Sequence, residues 1–429
     1  MRGPGGPGLP PGPYLVVGLA RSGAAASLAL RAGGEVVMGL DRVLPAAAGE
    51  LSEAGVDVLI DPSGVELLDV IGCVVKSPGV PREAPVIAAA LERGIVVMGE
   101  LELGWRMLPN RMVAVTGTNG KTTTVELIGE IYRAAGLPVV VAGNVGRALS
   151  SFAAPPAGPL TADTTIVCEV SSFQLEDTLE FAPDAAVLLN LEPDHLNRHH
   201  TFERYRDAKL RIFEHQTSDQ IAVLPASLAQ LEIPGHATRI PYDEHAQLAK
   251  GELRMRGAHN LANAMAARAV TVALGVSGDA VRAAMKSFPG VVHRIEEIAT
   301  QDGVLYVNDS KATNIASTLV ALASFAPGSV HLILGGQGKG QDFSLLREAV
   351  AGQANHVYLI GEDAAQIAAG LTGLPYTLCE TLDRAVQAAR TNASPGDVIL
   401  LSPACASFDQ FADFEDRGNV FRKLVSGEA

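Results

Sequence analysis

Cysteine is scarce in this chain of 429 residues: there are four, Cys73, Cys168, Cys379 and Cys405. No two form a C-x-x-C pair and none has a metal-like spacing, which argues against a disulfide framework and for reduced thiols in a cytoplasmic protein. Positive charge is also short. Lys and Arg number 33 against 47 Asp and Glu, a net charge of −14, and no dense basic run occurs. Nucleic acid is thereby disfavoured as a partner, since its affinity rests on many phosphate-facing cations. An anionic ligand must instead be met by locally placed Lys and Arg. Long apolar runs are missing too: none approaches the roughly 20 residues of a membrane span. The start, MRGPGGPGLPPGP, is rich in Pro and Gly with a single Arg, and reads as a flexible arm rather than a signal peptide. The expectation is a soluble protein with no membrane insertion.

What the chain does have is a globular composition, 48% apolar and 19% charged, and enough length for two to four domains. Short β-branched runs alternate with Ala/Leu-rich amphipathic stretches, the pattern of α/β layers with mostly parallel sheets. Strand-like runs lie at 14–17, 36–38, 73–75 and 95–98, then at 112–115, 139–141, 166–168 and 187–189. A polar, less periodic region follows to about residue 290, and then come runs at 305–307, 331–334, 357–360 and 398–401. Breaks at Leu108-Pro109-Asn110 and Phe288-Pro289-Gly290 divide the chain into three expected domains, 1–100, 101–290 and 291–429. A loop at 153–160 is the one further low-complexity stretch.

The chemistry starts at Thr116-Gly117-Thr118-Asn119-Gly120-Lys121-Thr122-Thr123. This stretch follows an apolar strand and opens a helix-like pattern with apolar Val125, Ile128, Ile131, Tyr132 and Ala135. A loop at a helix N-terminus offers free N–H groups and a favourable dipole to phosphate. Gly117 and Gly120 permit close backbone approach, Lys121 neutralises charge, and the Thr122 hydroxyl reaches a bound Mg²⁺. The usual pattern asks for Gly where Val115 stands. Glu169 ends the strand Ile166-Val167-Cys168 and supplies a carboxylate at the place of a second Mg²⁺ ligand. His195, His199 and His200 fit no zinc spacing and read as polar loop residues. Gly335-Gly336-Gln337-Gly338-Lys339-Gly340 puts one Lys at a strand end. Cys405 sits among small residues and reads as part of a tight loop, not as a nucleophile. Gly18-Leu19-Ala20-Arg21-Ser22-Gly23 is a variant dinucleotide fingerprint with Asp41 near the ribose distance; its Ala20 crowds a pyrophosphate and disfavours NAD.

Taken in order, these pieces resemble the Mur ligase family. The resemblance rests on 116–122, Gly143-Asn144-Val145-Gly146, Glu169 with Ser171-Ser172-Phe173-Gln174-Leu175, Asp194-His195, Tyr205-Arg206-Asp207-Ala208-Lys209-Leu210 and Gly257-Ala258-His259-Asn260. It continues through His293-Arg294, Asn308-Asp309-Ser310-Lys311-Ala312-Thr313-Asn314, the Lys339 loop and 402–411, nearly the whole chain. Val115 then marks the family's variant of the phosphate loop. The resemblance implies a Rossmann-like N-terminal domain, a central P-loop-type ATPase domain and a Rossmann-like C-terminal domain.

It also implies a cytoplasmic, monomeric ligase of peptidoglycan synthesis that spends ATP to activate a carboxylate as an acyl phosphate and then joins it to an amine. The 308–314 and 402–411 stretches look most like members that add D-glutamate to UDP-N-acetylmuramoyl-L-alanine. The implied ATP contacts are Gly117, Thr118, Asn119, Gly120, Lys121, Thr122, Thr123, Asn260, Arg294, Asp309 and Lys311. Two Mg²⁺ are implied, one on Thr122 and Glu169, the other on His195 and a carbamylated Lys209. By its pattern alone Lys209 is an exposed helix lysine; only the Tyr-Arg-x-Ala-Lys-Leu match gives it this role. The UDP-sugar falls to Arg21, Ser22, Asp41, Arg42, Ser77, Pro78, Gly79 and Asn144, although Asp41-Arg42-Val43 departs from the family's Asp-Thr-Arg. D-glutamate falls to Thr313, Lys339, Ser402 and Phe408. Ligands spread over three domains imply domain closure. The alternatives are a sibling ligase with another amino acid, or a folylpolyglutamate-type ligase. A dehydrogenase leaves the Lys121 loop unexplained, and a binding protein leaves Glu169, His195 and Lys209 without a role.

Overall fold

A computed structural model describes residues 7–61, 63–154, 160–249 and 251–428. The first residues of the proposed N-terminal arm, 1–6, and most of the 153–160 loop lie outside them. Three sheets account for the strands. The first holds β1 (Tyr14–Val17), β2 (Val37–Asp41), β3 (Asp57–Ile60), β4 (Cys73–Lys76) and β5 (Val96–Gly99) in the order β3-β2-β1-β4-β5, all parallel. The second holds β6 (Met112–Thr116), β7 (Val139–Gly143), β8 (Thr165–Glu169), β9 (Ala185–Leu188), β10 (Ile221–Pro225) and β11 (Thr238–Tyr242) in the order β11-β10-β9-β6-β8-β7, again all parallel.

The third is mixed. It holds β12 (Glu296–Gln301), β13 (Val304–Asn308), β14 (Val330–Gly335), β15 (Ala354–Ile360), β16 (Tyr376–Glu380) and β17 (Val398–Leu401) in the order β12-β13-β17-β14-β15-β16, with only β12 antiparallel. The doubly covered central strands β1, β6, β8, β14 and β17 are buried along their whole length, which is why they read as unbroken apolar runs.

The chain forms two compact units, residues 1–249 with 262–286, and residues 250–261 with 287–429. The first unit carries the first two sheets. The polar, less periodic stretch before residue 290 contains β10, β11 and the helices Ala258–Ala273 and Gly278–Ser287. In every parallel sheet the carboxyl ends of neighbouring strands lie along one edge, and helix N-termini open there. That is where the chemistry-bearing residues gather.

Candidate active site

The strand β6 stops at Thr116, and Gly117 and Gly120 turn the chain with φ of +156° and +82°. A Cβ on Gly120 would lie 2.1 Å from Asn263 Oδ1, so only glycine makes this turn. Helix Lys121–Ala134 follows at once. The loop is pinned to the carboxyl end of β9: Asn119 N donates to Asn190 Oδ1 (2.9 Å), and Thr118 Oγ1 exchanges bonds with the backbone of Glu192. Lys121 Nζ lies over the loop, donating to the carbonyls of Gly117 (2.9 Å) and Thr118 (2.8 Å). The Thr122 hydroxyl donates to Glu169 Oε2 at 2.7 Å, and Asn144 Nδ2 donates to Oε1 at 2.9 Å. Thr122, in the first turn of helix Lys121–Ala134, and Glu169, at the end of β8, thus form a buried pair of hard oxygen donors. Such a donor set fits Mg²⁺.

Lys209 does not behave as an exposed helix lysine. Helix Phe202–Leu210 turns it inward, where it is 2% exposed, donates to the Gly117 carbonyl at 2.8 Å and lies 4.7 Å above the Tyr205 ring. Burial, and then the charge of Lys121, pull its pKa from 10.5 to about 7, against the pull of Asp194 and Glu169. Tyr205 is also fixed, its hydroxyl donating to Thr118 Oγ1 at 3.0 Å. His195 begins the helix Leu196–His199 in a left-handed conformation (φ +52°), with Nε2 3.4 Å from Asp194 and its ring 4.9 Å from Phe173. His199, read from sequence as a polar loop residue, is buried. Its Nε2 meets Ser172 Oγ at 3.0 Å, its Nδ1 meets Glu176 at 3.2 Å, and its ring stacks on Phe173. Among the described residues no group of three or more His, Cys, Asp or Glu is placed to hold a metal ion. An unmodified Lys209 is a cation and supplies no oxygen donor to a metal beside His195.

At the edge of the first sheet a cavity of about 200 Å³ is lined by Gly18, Leu40, Asp41, Arg42, Asp61, Ser63, Gly79 and Val80 among others. Of the residues expected to hold the UDP-sugar, Asp41, Arg42 and Gly79 line it. Asp61 and Ser63, which no motif singles out, join them. Asp41 accepts from Leu19 N and Arg42 N, both at 2.7 Å, and so shapes the loop after β1. Ser77 donates to the Gly18 carbonyl (2.7 Å), and Arg21 reaches the Asn144 carbonyl (3.3 Å). Ser22 and Pro78 are half-buried beside them.

In the second unit, the loops after β13, β14 and β17 meet. Asp309, buried, accepts from Ile295 N (3.1 Å) and from Ser402 Oγ (2.8 Å). Burial raises its carboxyl from 3.8 to about 7, against those hydrogen bonds and the charges of Arg294 and Arg417. Ser402 is fully buried with its hydroxyl on Asp309 and Thr318, so it links β17 to β13 rather than facing outward. Lys311 Nζ lies 3.7 Å above the Phe414 ring, and Asn260 donates to the Arg256 carbonyl at 2.8 Å. Lys339 is exposed in a left-handed conformation (φ +52°), Thr313 is half-buried, and Phe408 is 64% exposed. Gln341 ties these loops together through Ile315 N, Gly338 O and Ala404 O. Beneath them Arg417, 1% exposed, donates to the carbonyls of Ser310 and Cys405 and to Ser310 Oγ. Sequence reading missed Arg417 entirely. Cys405 is buried and its thiol is pushed up to about 12, no state for a nucleophile.

A glycine-bounded loop at a strand–helix junction, a strand-end Glu and an inward Lys have the chemistry of a phosphate-handling site, and the chain belongs to the Mur ligase family. Residues 115–233 match the Mur ligase middle domain, and residues 293–405 match the Mur ligase glutamate ligase domain. The UDP-N-acetylmuramoylalanine–D-glutamate ligases of Koribacter versatilis (strain Ellin345) and Myxococcus xanthus (strain DK1622) are each 40% identical to it. They align over 96% of this chain and over 96% and 97% of their own lengths. The fold is shared with the MurF ligase from Thermotoga maritima in complex with ADP (TM-score 0.60, 18% identity, 92% of this chain and 96% of that one). It is shared also with UDP-N-acetylmuramate–alanine ligase from Thermotoga maritima (TM-score 0.59, 20% identity, 97% and 100%).

Proposed function

We propose that this chain joins D-glutamate to UDP-N-acetylmuramoyl-L-alanine at the expense of ATP. A carboxylate oxygen is a poor leaving group, so an amine does not displace it at neutral pH. Transfer of the γ-phosphoryl group to the alanine carboxylate releases ADP and makes an acyl phosphate. The neutral amine of D-glutamate then adds to the acyl carbon, loses a proton, and inorganic phosphate leaves as the amide forms. The observation that carries the reading is the cluster Lys121, Thr122, Glu169 and Lys209 around one phosphate loop, in a chain alignable almost end to end with D-glutamate ligases.

In this reading Lys121 and the amides of 117–123 hold the ATP phosphates. Thr122 and Glu169 hold Mg²⁺, which when bound neutralises phosphate charge and polarises the transferring group. A pKa near 7 leaves much of Lys209 as neutral amine, the form that attacks CO₂, loses a proton and becomes a carbamate. The carbamate oxygens, with His195, are the donors a second Mg²⁺ requires. Asn260, Arg294, Asp309 and Lys311 are assigned to the nucleotide. Thr313, Lys339 and the loop bearing Ser402 and Phe408 are assigned to D-glutamate, with the exposed Lys339 as the cation for a carboxylate. The first-sheet cavity, lined by Asp41, Arg42 and Gly79, is assigned to the UDP-sugar together with Arg21, Ser22, Ser77, Pro78 and Asn144. We assign these roles to three domains, 1–100, 101–290 and 291–429, of a monomeric cytoplasmic enzyme.

The test is an amino-acid panel. With ATP, Mg²⁺ and UDP-N-acetylmuramoyl-L-alanine present, phosphate release is expected to require D-glutamate and to fail with L-glutamate. Equal rates with the two enantiomers would sink the substrate assignment.

A further inference from the structure

Lys76 ends β4 with its side chain fully buried. A buried ammonium is costly unless its protons find acceptors and its charge a counter-charge. Lys76 has both. Nζ donates to the Val80 carbonyl at 2.7 Å, approaches that of Ser77 at 3.5 Å, and pairs with Asp177 Oδ2 at 2.7 Å. The two carbonyls belong to the turn 77–80, closed by Val80 N donating to Ser77 O at 3.0 Å. Gly79 and Val80 of that turn line the first-sheet cavity.

Asp177 lies in the connection between β8 and β9 of the second sheet, in the same unit. It follows the short helix Ser172–Leu175, which leaves β8 just after Glu169. Its carbonyl accepts from Gly99 N at 2.8 Å, and Arg82 Nε stands 3.5 Å from its second carboxylate oxygen. The adjacent Glu176 holds His199 and Arg198. Residues 172–177 therefore reach Lys76 through Asp177 on one side and His195 through Phe173 on the other.

A purely stabilising ion pair is the competing explanation. A buried pair gains little over apolar residues of the same volume, and the two sheets are already joined without it. Glu100 accepts from Ser150 N and Oγ, and Glu102 from Leu179 N and Glu180 N. What Lys76 adds, and no apolar residue supplies, is a grip on the carbonyls of the turn.

We propose that Lys76, clamped by Asp177, is a positioning residue that holds the turn 77–80 in the shape that receives the sugar-nucleotide substrate. The inference rests on the reading of the cavity as the seat of UDP-N-acetylmuramoyl-L-alanine. The test compares wild type with K76M/D177N, which removes both charges and leaves neither unpaired. Calorimetric titration with UDP-N-acetylmuramoyl-L-alanine is expected to show Kd raised roughly 10- to 100-fold, the scale of a misplaced positioning group. KM for that substrate rises with it, while KM for ATP and for D-glutamate stays at the wild-type value. If the double variant fails to fold, K76Q, which leaves Asp177 its neighbour Arg82 and buries no uncompensated cation, is titrated, and a smaller rise confined to the same substrate is expected. Wild type that binds, with a folded variant of equal Kd, overturns the clamp alone. Wild type that binds ATP but not UDP-N-acetylmuramoyl-L-alanine overturns the cavity assignment, and the clamp with it.

Discussion

Replacing Lys209 with methionine is expected to stabilise the protein and to inactivate it. In the fold, burial first and the neighbouring Lys121 second lower the Lys209 pKa from 10.5 to about 7. At 1.36 kcal/mol for each unit of pKa, keeping the proton there costs about 5 kcal/mol relative to the unfolded chain. The sign follows from proton counting. Below pH 7 folded and unfolded chains both carry the proton, and the cost is constant. Between 7 and 10.5 the unfolded chain binds more protons, so stability climbs with pH and the cost fades. Methionine removes the cost and sacrifices the 2.8 Å bond to the Gly117 carbonyl, worth about 1.5–3 kcal/mol for a charged donor. A net gain of about 2–4 kcal/mol remains, a rise in melting temperature of roughly 5–10 °C. The assay is calorimetric melting of wild type and K209M at pH 6.5 and pH 9 in CO₂-depleted buffer. The gap is largest at pH 6.5 and shrinks at pH 9. Added bicarbonate raises the wild-type melting temperature and leaves K209M unmoved, because only the lysine binds CO₂ in the folded state. A variant that melts at or below wild type at pH 6.5, or a gap that persists undiminished at pH 9, refutes the reasoning.

Lys121→Ala is expected to lower kcat by about 10²–10³, the cost of removing one charge-stabilising donor from a transferring group. Near-normal turnover in a steady-state assay contradicts the phosphate role. Asp309→Asn is expected to flatten the stability profile of the wild type between pH 4 and 7. The carboxyl is raised from 3.8 to about 7, so the folded state binds the extra proton in that window and stability falls by up to about 4 kcal/mol as pH rises through it. Thermal melts at half-unit pH steps read the difference, and parallel profiles for wild type and variant dispose of it.

The buried strands were legible because both faces are covered and the residues read as continuous apolar runs. β3, β11, β12 and β16 were not. They lie on sheet edges, and the exposed faces of β11 and β16 carry no inward apolar pattern to detect. β10 is buried over most of its length, but it sits inside a polar stretch that hid it. The strand–loop–helix turn at 116–122 was legible, since its glycines, lysine and threonine are neighbours in the chain and the turn is local backbone geometry. Lys209 and His199 were legible only as types. A burial that depends on how helix Phe202–Leu210 turns against Gly117, and on how Glu176 meets the helix Leu196–His199, has no local signature.

Arg417 shows why the rest stayed hidden. It lies on the helix Phe414–Ser426 among Glu415, Asp416 and Arg422, where a charge ordinarily faces water. Its acceptors, however, are the carbonyls of Ser310 and Cys405 and the Ser310 hydroxyl, at the ends of β13 and β17. Every residue type carries a backbone carbonyl, so no choice of side chain elsewhere in the sequence announces such a site. Ser402 is the complementary case: the resemblance gives it to D-glutamate, and in the fold its hydroxyl donates to Oδ2 of the buried Asp309. Polar residues at a strand end thus divide into those that meet a ligand and those that hold the others in place. The division is set by which backbone groups the fold leaves unpaired, a property of the assembled loops rather than of any motif.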